Sequence, residues 1–182
     1  MNVALGVIFL GVEFACVALV LLAIVRTGLA RLGSAVGIAR DGFPPGTAAP
    51  AWSLPDLEGH LRVTPAGDHW QLLVFANRAL VAFPELIEGM RHLARDAQDL
   101  EVVILSDEDQ ISNAVTAEGL DLQIPIVAVD QAFYQRYRVR VMPFAFFLDP
   151  FGVVRWVGLV NAESELFHAW RMIRAFALTQ EG

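Results

Sequence analysis

Apolar residues in this chain form one long N-terminal run and, after it, several shorter groups. The run Val3–Val25 is interrupted by a single charged residue, Glu13. After about Pro50, short continuous apolar runs alternate with stretches in which apolar residues recur every three or four positions. Continuous runs are typical of strands buried on both faces, and the longer period is typical of amphipathic helices. The pattern therefore predicts an apolar N-terminal segment followed by an α/β domain.

The elements of this domain can be placed from the same pattern. The predicted order is strand 60–65, strand 71–77, helix 83–97, strand 100–106, helix 107–120, strand 124–130, helix 131–139, two strands on either side of a turn at 149–152, and helix 162–178. Strands joined by crossover helices lie parallel, and two strands joined by a tight turn lie antiparallel. We therefore expect an α/β fold with a mixed central sheet flanked by helices.

The N-terminal run is long enough to cross a bilayer, which needs about 20 helical residues. No basic residue precedes it, and it is too long for the apolar region of a signal peptide. We expect an uncleaved transmembrane anchor at residues 1–26. Residues 27–45 are predicted to be a juxtamembrane helix and linker, because glycine and proline accumulate towards their end. The globular domain is expected at residues 46–182.

Glu13 lies near the middle of the expected span. An ionisable side chain at that depth costs roughly 2.5–3.5 kcal/mol, so it normally faces protein or water. We interpret Glu13 as a contact to a partner membrane subunit; the alternative is a protonated glutamate tolerated by a local defect in the bilayer. Cys16, on the same helical stripe, is expected to be a small apolar filler.

Composition and charge exclude several classes of function. The 182-residue chain has a formal net charge of −7, and its 13 basic residues are all arginine. This acidic balance argues against nucleic-acid binding. A single cysteine excludes a disulfide framework, and the four histidines show no metal-ligand spacing. No glycine-rich phosphate loop is present. We therefore predict no metal, no cofactor and no small-molecule substrate.

Two stretches of the domain carry a family resemblance. "PGTAAPAWSLPDLEG", Pro45–Gly59, resembles the opening hairpin of membrane-anchored thioredoxin-like proteins of the TlpA type. "VMPFAFFLDPFGVVRWVGLVN", Val141–Asn161, resembles their cis-proline strand and the following hairpin. The ending "GLVN" and the short anchor are most similar to the MauD branch, the methylamine-utilisation accessory proteins. The resemblance implies a thioredoxin-like fold with one N-terminal transmembrane helix.

The resemblance also implies a position for the thiols, and there the chain departs from the family. In these proteins a Cys-x-x-Cys begins the helix after the central strand. Its positions fall on the tetrapeptide Leu80-Val81-Ala82-Phe83. Disulfide exchange needs one thiolate to attack and a second thiol to resolve the mixed disulfide. Leucine and phenylalanine can do neither, so we predict that the protein is not an enzyme. Val74 stands where relatives often carry a buried acid.

The docking side of the family's site is retained. Met142-Pro143 matches the cis-proline loop, which in the family faces the Cys-x-x-Cys and pairs with an extended substrate. The loop either keeps a peptide-binding edge or serves only to turn the strand. Leu80, Phe83, Met142 and Phe144 are expected to line that edge. An exposed apolar patch favours aggregation, so we expect it to be covered by a partner or by the chain itself.

Three arginines alternate just before this loop, in "RYRVR". They either meet an acidic partner or form a solvated face, since single exposed charges contribute little. The candidate partner contacts are Glu13, Phe83, Phe144, Arg136, Arg138 and Arg140.

These features together predict a redox-inactive, membrane-anchored accessory or scaffold subunit of a membrane protein complex. One alternative is a thiol-disulfide oxidoreductase or maturation factor that uses Cys16 or the cysteines of a partner. Another is a thiol-independent chaperone or peptide-binding module. Arg26, Arg31 and Arg40 follow the span, which favours a cytoplasmic domain, but the family implies an extracytoplasmic one. We follow the family, because the charge rule has exceptions among single anchors and a large domain can be exported regardless of charge.

Overall fold

The computed structural model describes residues 41–180, with side chains described as far as residue 177. The elements are β1 Trp52–Pro55, β2 Leu61–Thr64, β3 Trp70–Phe75, α1 Phe83–Asp96, β4 Leu100–Ser106, α2 Gln110–Gly119, β5 Ile126–Ala128, α3 Gln131–Tyr137, β6 Phe144–Leu148, β7 Val154–Leu159 and α4 Glu163–Gln180. The order of helices and strands agrees with the one predicted from the apolar pattern, with β1 as an additional strand.

The five-stranded central sheet has the order β5-β4-β3-β6-β7. β3, β4 and β5 are parallel, whereas β6 is antiparallel to β3 and β7 to β6. The predicted mixed sheet is therefore confirmed. Because Phe75 pairs with Phe144, β6 begins beside the end of β3. The ends of β3 and β4 and the start of β6 thus share one side of the sheet, which we call the C-terminal edge.

β3 is buried on both faces, as its continuous apolar run predicts. Leu72, Leu73, Val74 and Phe75 are each 0% exposed. Leu72 and Val74 belong to the core that α1 and α4 cover. Successive strand residues point to opposite faces, and Phe75 accordingly packs with the aromatic rings of α3 and β6 on the other side. The loop after Phe75 therefore begins at a fully buried, closely packed residue.

The β1–β2 hairpin is fastened to the other end of the sheet by polar side chains. Arg62 on β2 contacts both the buried carboxylate of Asp56, at 2.8 Å, and Glu101 on β4, at 3.1 Å. Gln71, 0% exposed on β3, donates to Glu101 at 2.8 Å and to the carbonyl of Val63 at 2.8 Å. Buried polar groups are normally satisfied in this way. The hairpin thus closes the edge opposite the C-terminal edge.

Residues 41–51, which we call the strap, run along β7. Their backbone bonds to β7 and to the turn before it, as in the hydrogen bond from Gly46 N–H to the carbonyl of Val154 at 2.8 Å. Gly42, at φ 75°, packs so closely that a Cβ there would stand 2.7 Å from Val157. Residues 41–45, expected in the linker, therefore form part of this fold.

The expected membrane anchor at residues 1–26, with Glu13 and Cys16, lies outside the described residues. Among residues 41–180, no helix combines the length and the apolar character needed to cross a membrane.

Candidate functional site

The loop after β3 shapes the first half of the candidate site at the C-terminal edge. Asn77 stabilises the turn, because its side-chain oxygen accepts from Ala79 N–H at 3.1 Å and its carbonyl from Leu80 N–H at 3.3 Å. Helix α1 then begins at Phe83, with Pro84 as its second residue. No side chain caps the helix, since the N-cap is Ala82. The tetrapeptide therefore forms a turn and only its last residue is helical.

The four residues of the tetrapeptide have very different surroundings. Val81 is 100% exposed, whereas Phe83 is 3% exposed and belongs to the core. Leu80 is half-buried and packs against the same core. The expectation that Phe83 offers a contact surface is wrong, because α1 turns its side chain inward beside Leu86 and Ile87. Val81 is instead the side chain that the turn presents to solvent.

The loop before β6 forms the second half of the site. The Met142–Pro143 peptide bond is cis, and Pro143 is buried with its carbonyl accepting from Val160 N–H at 3.3 Å. Phe144, the first residue of β6, is 1% exposed and stacks edge-on with Phe146 at 5.4 Å. Phe144 is therefore a core residue and no candidate for a partner contact. Met142 is half-buried.

Tyr134 of α3 contacts this loop at Met142. Its hydroxyl donates to the carbonyl of Leu105 at 3.2 Å and lies 3.4 Å from the sulfur of Met142. Burial, followed by the negative charge of Asp107, raises the pKa of Tyr134 well above its ordinary value. The phenol therefore stays protonated at neutral pH and acts as a hydrogen-bond donor.

Polar residues from the loops after β3 and β4 meet at the same edge. Asn77 donates to Asp107 at 2.8 Å, and Arg78 contacts Glu108 at 3.2 Å. One carboxylate oxygen of Glu108, Oε2, is buried and has no hydrogen-bond partner among the described residues. Reasoning from the sequence missed these pairs, and the only signal was a cluster of acids at the end of β4.

The acids after β4 also cap a helix, as their position predicts. Asp109 accepts from the backbone N–H of Ser112 at 2.8 Å and from its hydroxyl at 2.9 Å. These hydrogen bonds from Ser112 lower the pKa of Asp109. Asp109 is thus the N-cap of α2.

The three alternating arginines bind the strap of their own chain. Arg140 pairs with the buried carboxylate of Asp41, and Arg136 donates to the carbonyl of Ala51. Arg138 lies over the ring of Phe43, 4.9 Å from its centroid. Each guanidinium group thus has a partner within the chain, where α3 and the residues after it pack on the strap. All three arginines are also exposed, and their role as partner contacts stays a prediction.

The described side chains bring no thiol to this edge, since the chain's one cysteine is Cys16. No group of histidine, cysteine or carboxylate side chains among residues 41–177 could hold a metal ion. What the edge does present is an exposed Val81, a half-buried Met142 and hydrogen-bonded polar pairs. The arrangement is suited to binding.

A cavity of the described domain lies elsewhere. It has a volume of about 510 Å³ and is formed between the β6–β7 turn and the C-terminal half of α4, with Trp70, Phe151 and Trp156 in its wall. Since β6 ends where β3 begins, this cavity lies at the edge opposite the tetrapeptide. It belongs to no part of the candidate site.

No protein-family model matches the sequence, and no curated protein does. Solved structures do resemble the fold. Peroxidoxin BcpB of Mycobacterium tuberculosis has a TM-score of 0.63 at 19% identity, covering 72% of this chain and 96% of that one. A thiol:disulfide interchange protein of the thioredoxin family from Chlorobium tepidum has a TM-score of 0.58 at 14% identity, covering 72% of this chain and 97% of that one.

A third similar structure is a thiol-disulfide oxidoreductase from Bacteroides fragilis, with a TM-score of 0.57 at 16% identity, covering 67% of this chain and 98% of that one. The identities are low, and the similarity spans nearly the whole length of each relative. It therefore establishes the fold of the described domain: the protein has a thioredoxin-like fold.

Proposed function

We propose that the protein is a redox-inactive, membrane-anchored thioredoxin-like protein of the MauD branch, which acts as an accessory or scaffold subunit of a membrane protein complex. One observation carries the proposal. At the edge where the tetrapeptide replaces two thiols, a single apolar side chain, Val81, is fully exposed while its neighbour Phe83 is locked into the core. The edge is thus built for contact and lacks the groups for disulfide exchange.

The membrane part of the proposal rests on the sequence. The run Val3–Val25 has the length of a transmembrane helix, and Glu13 within it favours a neighbouring membrane subunit. The proposed location of the domain is extracytoplasmic. Digestion of intact spheroplasts by an added protease should then remove the domain, whereas a cytoplasmic domain would be protected until the cells are lysed.

Gentle detergent extraction tests the scaffold role. The full-length protein, tagged at its C-terminus, should leave native membranes together with a fixed set of membrane subunits. Glu13→Leu should reduce their recovery, because it removes the proposed polar contact within the membrane. Val17→Leu, one helical turn after Glu13 in the predicted span, is the matched control and should leave the recovery of these subunits unchanged. Extraction as a lone monomer, with no partner crosslinked in native membranes, would refute the proposal.

A thiol-dependent function would need Cys16 or a partner's cysteines. A reactive cysteine must be accessible as its thiolate. We therefore expect that alkylation trapping in native membranes captures no mixed disulfide through Cys16 and that Cys16→Ser leaves complex assembly intact. A disulfide-linked partner that disappears in Cys16→Ser would support the oxidoreductase alternative instead.

The cis Met142–Pro143 bond, at the same edge of the sheet as Val81, favours a second candidate, a thiol-independent peptide-binding module. An extended client would lie along the loop. Val81→Glu and Met142→Glu should then abolish client binding while complex assembly persists. Leu61→Glu, at a residue 65% exposed on the distant hairpin, is the matched control. Loss of assembly in Val81→Glu and not in the control would favour the scaffold role.

A further inference from the structure

Helix α2 carries its two large apolar residues on the side that faces away from the sheet. Its buried residues are Asn113 and Thr116, at 2% and 8% exposed. Ile111 and Val115, four positions apart, are 79% and 57% exposed. Surface helices usually bury their apolar stripe and leave polar residues in water. In α2 the two large apolar residues lie in water instead. Ile111 and Val115 are neighbours on one face of the helix, and we call this pair the outward stripe.

Both inward polar residues are hydrogen-bonded, and the bond of Asn113 to the preceding loop holds the helix in this orientation. Asn113 donates to the carbonyl of Glu108 at 2.9 Å, and the hydroxyl of Thr116 donates to the carbonyl of Ser112 at 2.9 Å. Asp109 caps the first turn. A rotation that buried Ile111 would break the hydrogen bond of Asn113 to the preceding loop. The outward apolar stripe is therefore fixed by the fold.

Negative charge surrounds the stripe. Asp107, Asp109, Glu118 and Asp121 are exposed, and residues 107–121 include no arginine or lysine. The basic side chains nearby are committed within the chain.

Arg78 is paired with Glu108, and Arg91 with Glu88 and with the carbonyls of Leu120 and Asp121. The surface thus combines an apolar centre with an acidic rim.

This charge pattern decides which partner fits. A second copy of the chain docked through the same face would bring the two acidic rims together, because a twofold interface pairs each patch with itself. Like charges placed opposite one another oppose binding, whereas opposite charges guide it. We infer that α2 docks a helix of another protein that has an apolar stripe flanked by lysine or arginine. The inference names the chemistry of a partner and so rests on the scaffold role proposed above.

The surface adjoins the candidate site. Ile111 lies in the first turn of α2, which follows directly from the C-terminal end of β4. Val81 follows the C-terminal end of the neighbouring parallel strand β3. A helix lying on α2 therefore approaches the same edge of the sheet that carries the tetrapeptide.

The test uses two synthetic helical peptides and the purified full-length protein in a non-ionic detergent. One peptide has a leucine stripe flanked by lysine, and its isomer has glutamate in place of lysine. Binding is followed by fluorescence anisotropy, with empty micelles as the background. The lysine peptide should bind and the glutamate peptide should not, and added salt should weaken binding because it screens the exposed charges.

Substitutions on α2 sharpen the test. Val115→Ser should weaken binding of the lysine peptide about tenfold, as expected for a central apolar contact. Glu118→Arg should weaken the lysine peptide and strengthen the glutamate peptide, because it reverses the charge of the rim. Leu61→Ser and Asp96→Arg, at exposed positions of β2 and α1, are matched controls and should leave both affinities unchanged. Circular dichroism should show the same helix content in all variants.

The inference would be overturned if the two peptides bound equally well or if neither bound. It would also be overturned if the control substitutions changed the affinities as much as the substitutions on α2. A dimer in sedimentation equilibrium that Val115→Ser dissociates would do the same, because the face would then bind a second copy. These failures differ from failure of the scaffold role, which appears as extraction of a lone monomer. Co-purifying subunits without peptide binding refute only the inference about α2.

Discussion

Val81 and Phe83 stand two positions apart and have opposite surroundings, which defines the candidate site at the scale of residues. Phe83 is 3% exposed and continues the inward face of α1 with Leu86, Ile87 and Met90. Val81, on the turn before the helix, is 100% exposed. The tetrapeptide thus holds one core residue and one fully exposed apolar residue.

Removal of the Phe83 side chain should therefore destabilise the domain. Phe83→Ala should lower the free energy of unfolding by about 3–5 kcal/mol, because it leaves a cavity in the core. Val81→Ala should change it by no more than about 0.5 kcal/mol. Urea unfolding of the full-length protein, followed by tryptophan fluorescence, measures both values. Similar losses for the two variants would contradict the assignment of Phe83 to the core.

Burial of Phe83 could have been predicted from the sequence. Phe83 precedes Leu86, Ile87 and Met90 by three, four and seven positions, which is the spacing of one helix face. The family resemblance places Phe83 at a thiol position, and for that reason an exposed contact surface was expected there. The exposure of Val81 could not be predicted in this way, because it depends on where the turn ends and the helix begins.

At the scale of elements, α3 holds the strap through Tyr137. The Tyr137 hydroxyl donates to the carbonyl of Pro50 at 2.8 Å and accepts from the indole N–H of Trp52 at 2.9 Å. Because burial raises its pKa, this phenol also stays protonated. One buried hydroxyl thus links both the strap and β1 to α3.

Loss of this hydroxyl should weaken the attachment of the strap. Tyr137→Phe should cost about 1–3 kcal/mol of unfolding free energy, since it removes the hydrogen-bond partner of the buried Trp52 indole and of the half-buried Pro50 carbonyl. Tyr134→Phe is the matched control and should cost less, because its hydrogen bonds, at 3.2 and 3.4 Å, are longer. Unfolding in urea compares the two variants. A larger loss for Tyr134→Phe would argue against this role of Tyr137.

The attachment of the β1–β2 hairpin should depend on pH. Burial acts to raise the pKa of Asp56, but hydrogen bonds from Arg62 and from the backbone N–H groups of His60 and Glu58 outweigh it and hold the pKa below its usual value. A carboxyl group with a lowered folded-state pKa stabilises the fold above its unfolded pKa of about 3.9. This stabilisation is lost as the pH falls through the folded-state value.

Asp56→Asn should therefore lower the free energy of unfolding by about 1–3 kcal/mol at neutral pH. The difference from the unmodified protein should narrow as the pH falls below about 3.9. Urea unfolding at several pH values measures this difference. Asp96→Asn, at an exposed carboxyl group of α1, is the control and should have little effect at any pH. A difference for Asp56→Asn that does not change with pH would contradict the electrostatic explanation.

Elements were predictable where the apolar pattern dominates. Strand β4 was predicted at Leu100–Ser106 and is found there, because a continuous apolar run between polar ends has few alternatives. Residues 41–45 of the strap were expected to be linker, since glycine and proline normally break regular structure. In the fold these residues pack instead, and Gly42 leaves no room for a Cβ beside Val157. Such close packing depends on tertiary contacts that a local pattern does not contain.

At the scale of the whole molecule, the two ends of the sheet differ in the residues that they carry. The hairpin and its network of Arg62, Glu101 and Gln71 close one end. The other end carries Val81 and the outward stripe of α2. The thioredoxin-like fold could be recognised from two sequence stretches. The polarity of α2 was not recognised, because exposed apolar residues at helical spacing look the same in a sequence as buried ones.

The central claim is that the edge bearing the tetrapeptide contacts another subunit. It is tested most directly by placing a photo-crosslinking amino acid at position 81 of the full-length protein in native membranes. The same amino acid at position 61, where Leu61 is 65% exposed on the hairpin, is the control. The account predicts a discrete crosslinked subunit from position 81 and none from position 61. Absence of a crosslink from position 81, or the same products from both positions, would contradict it.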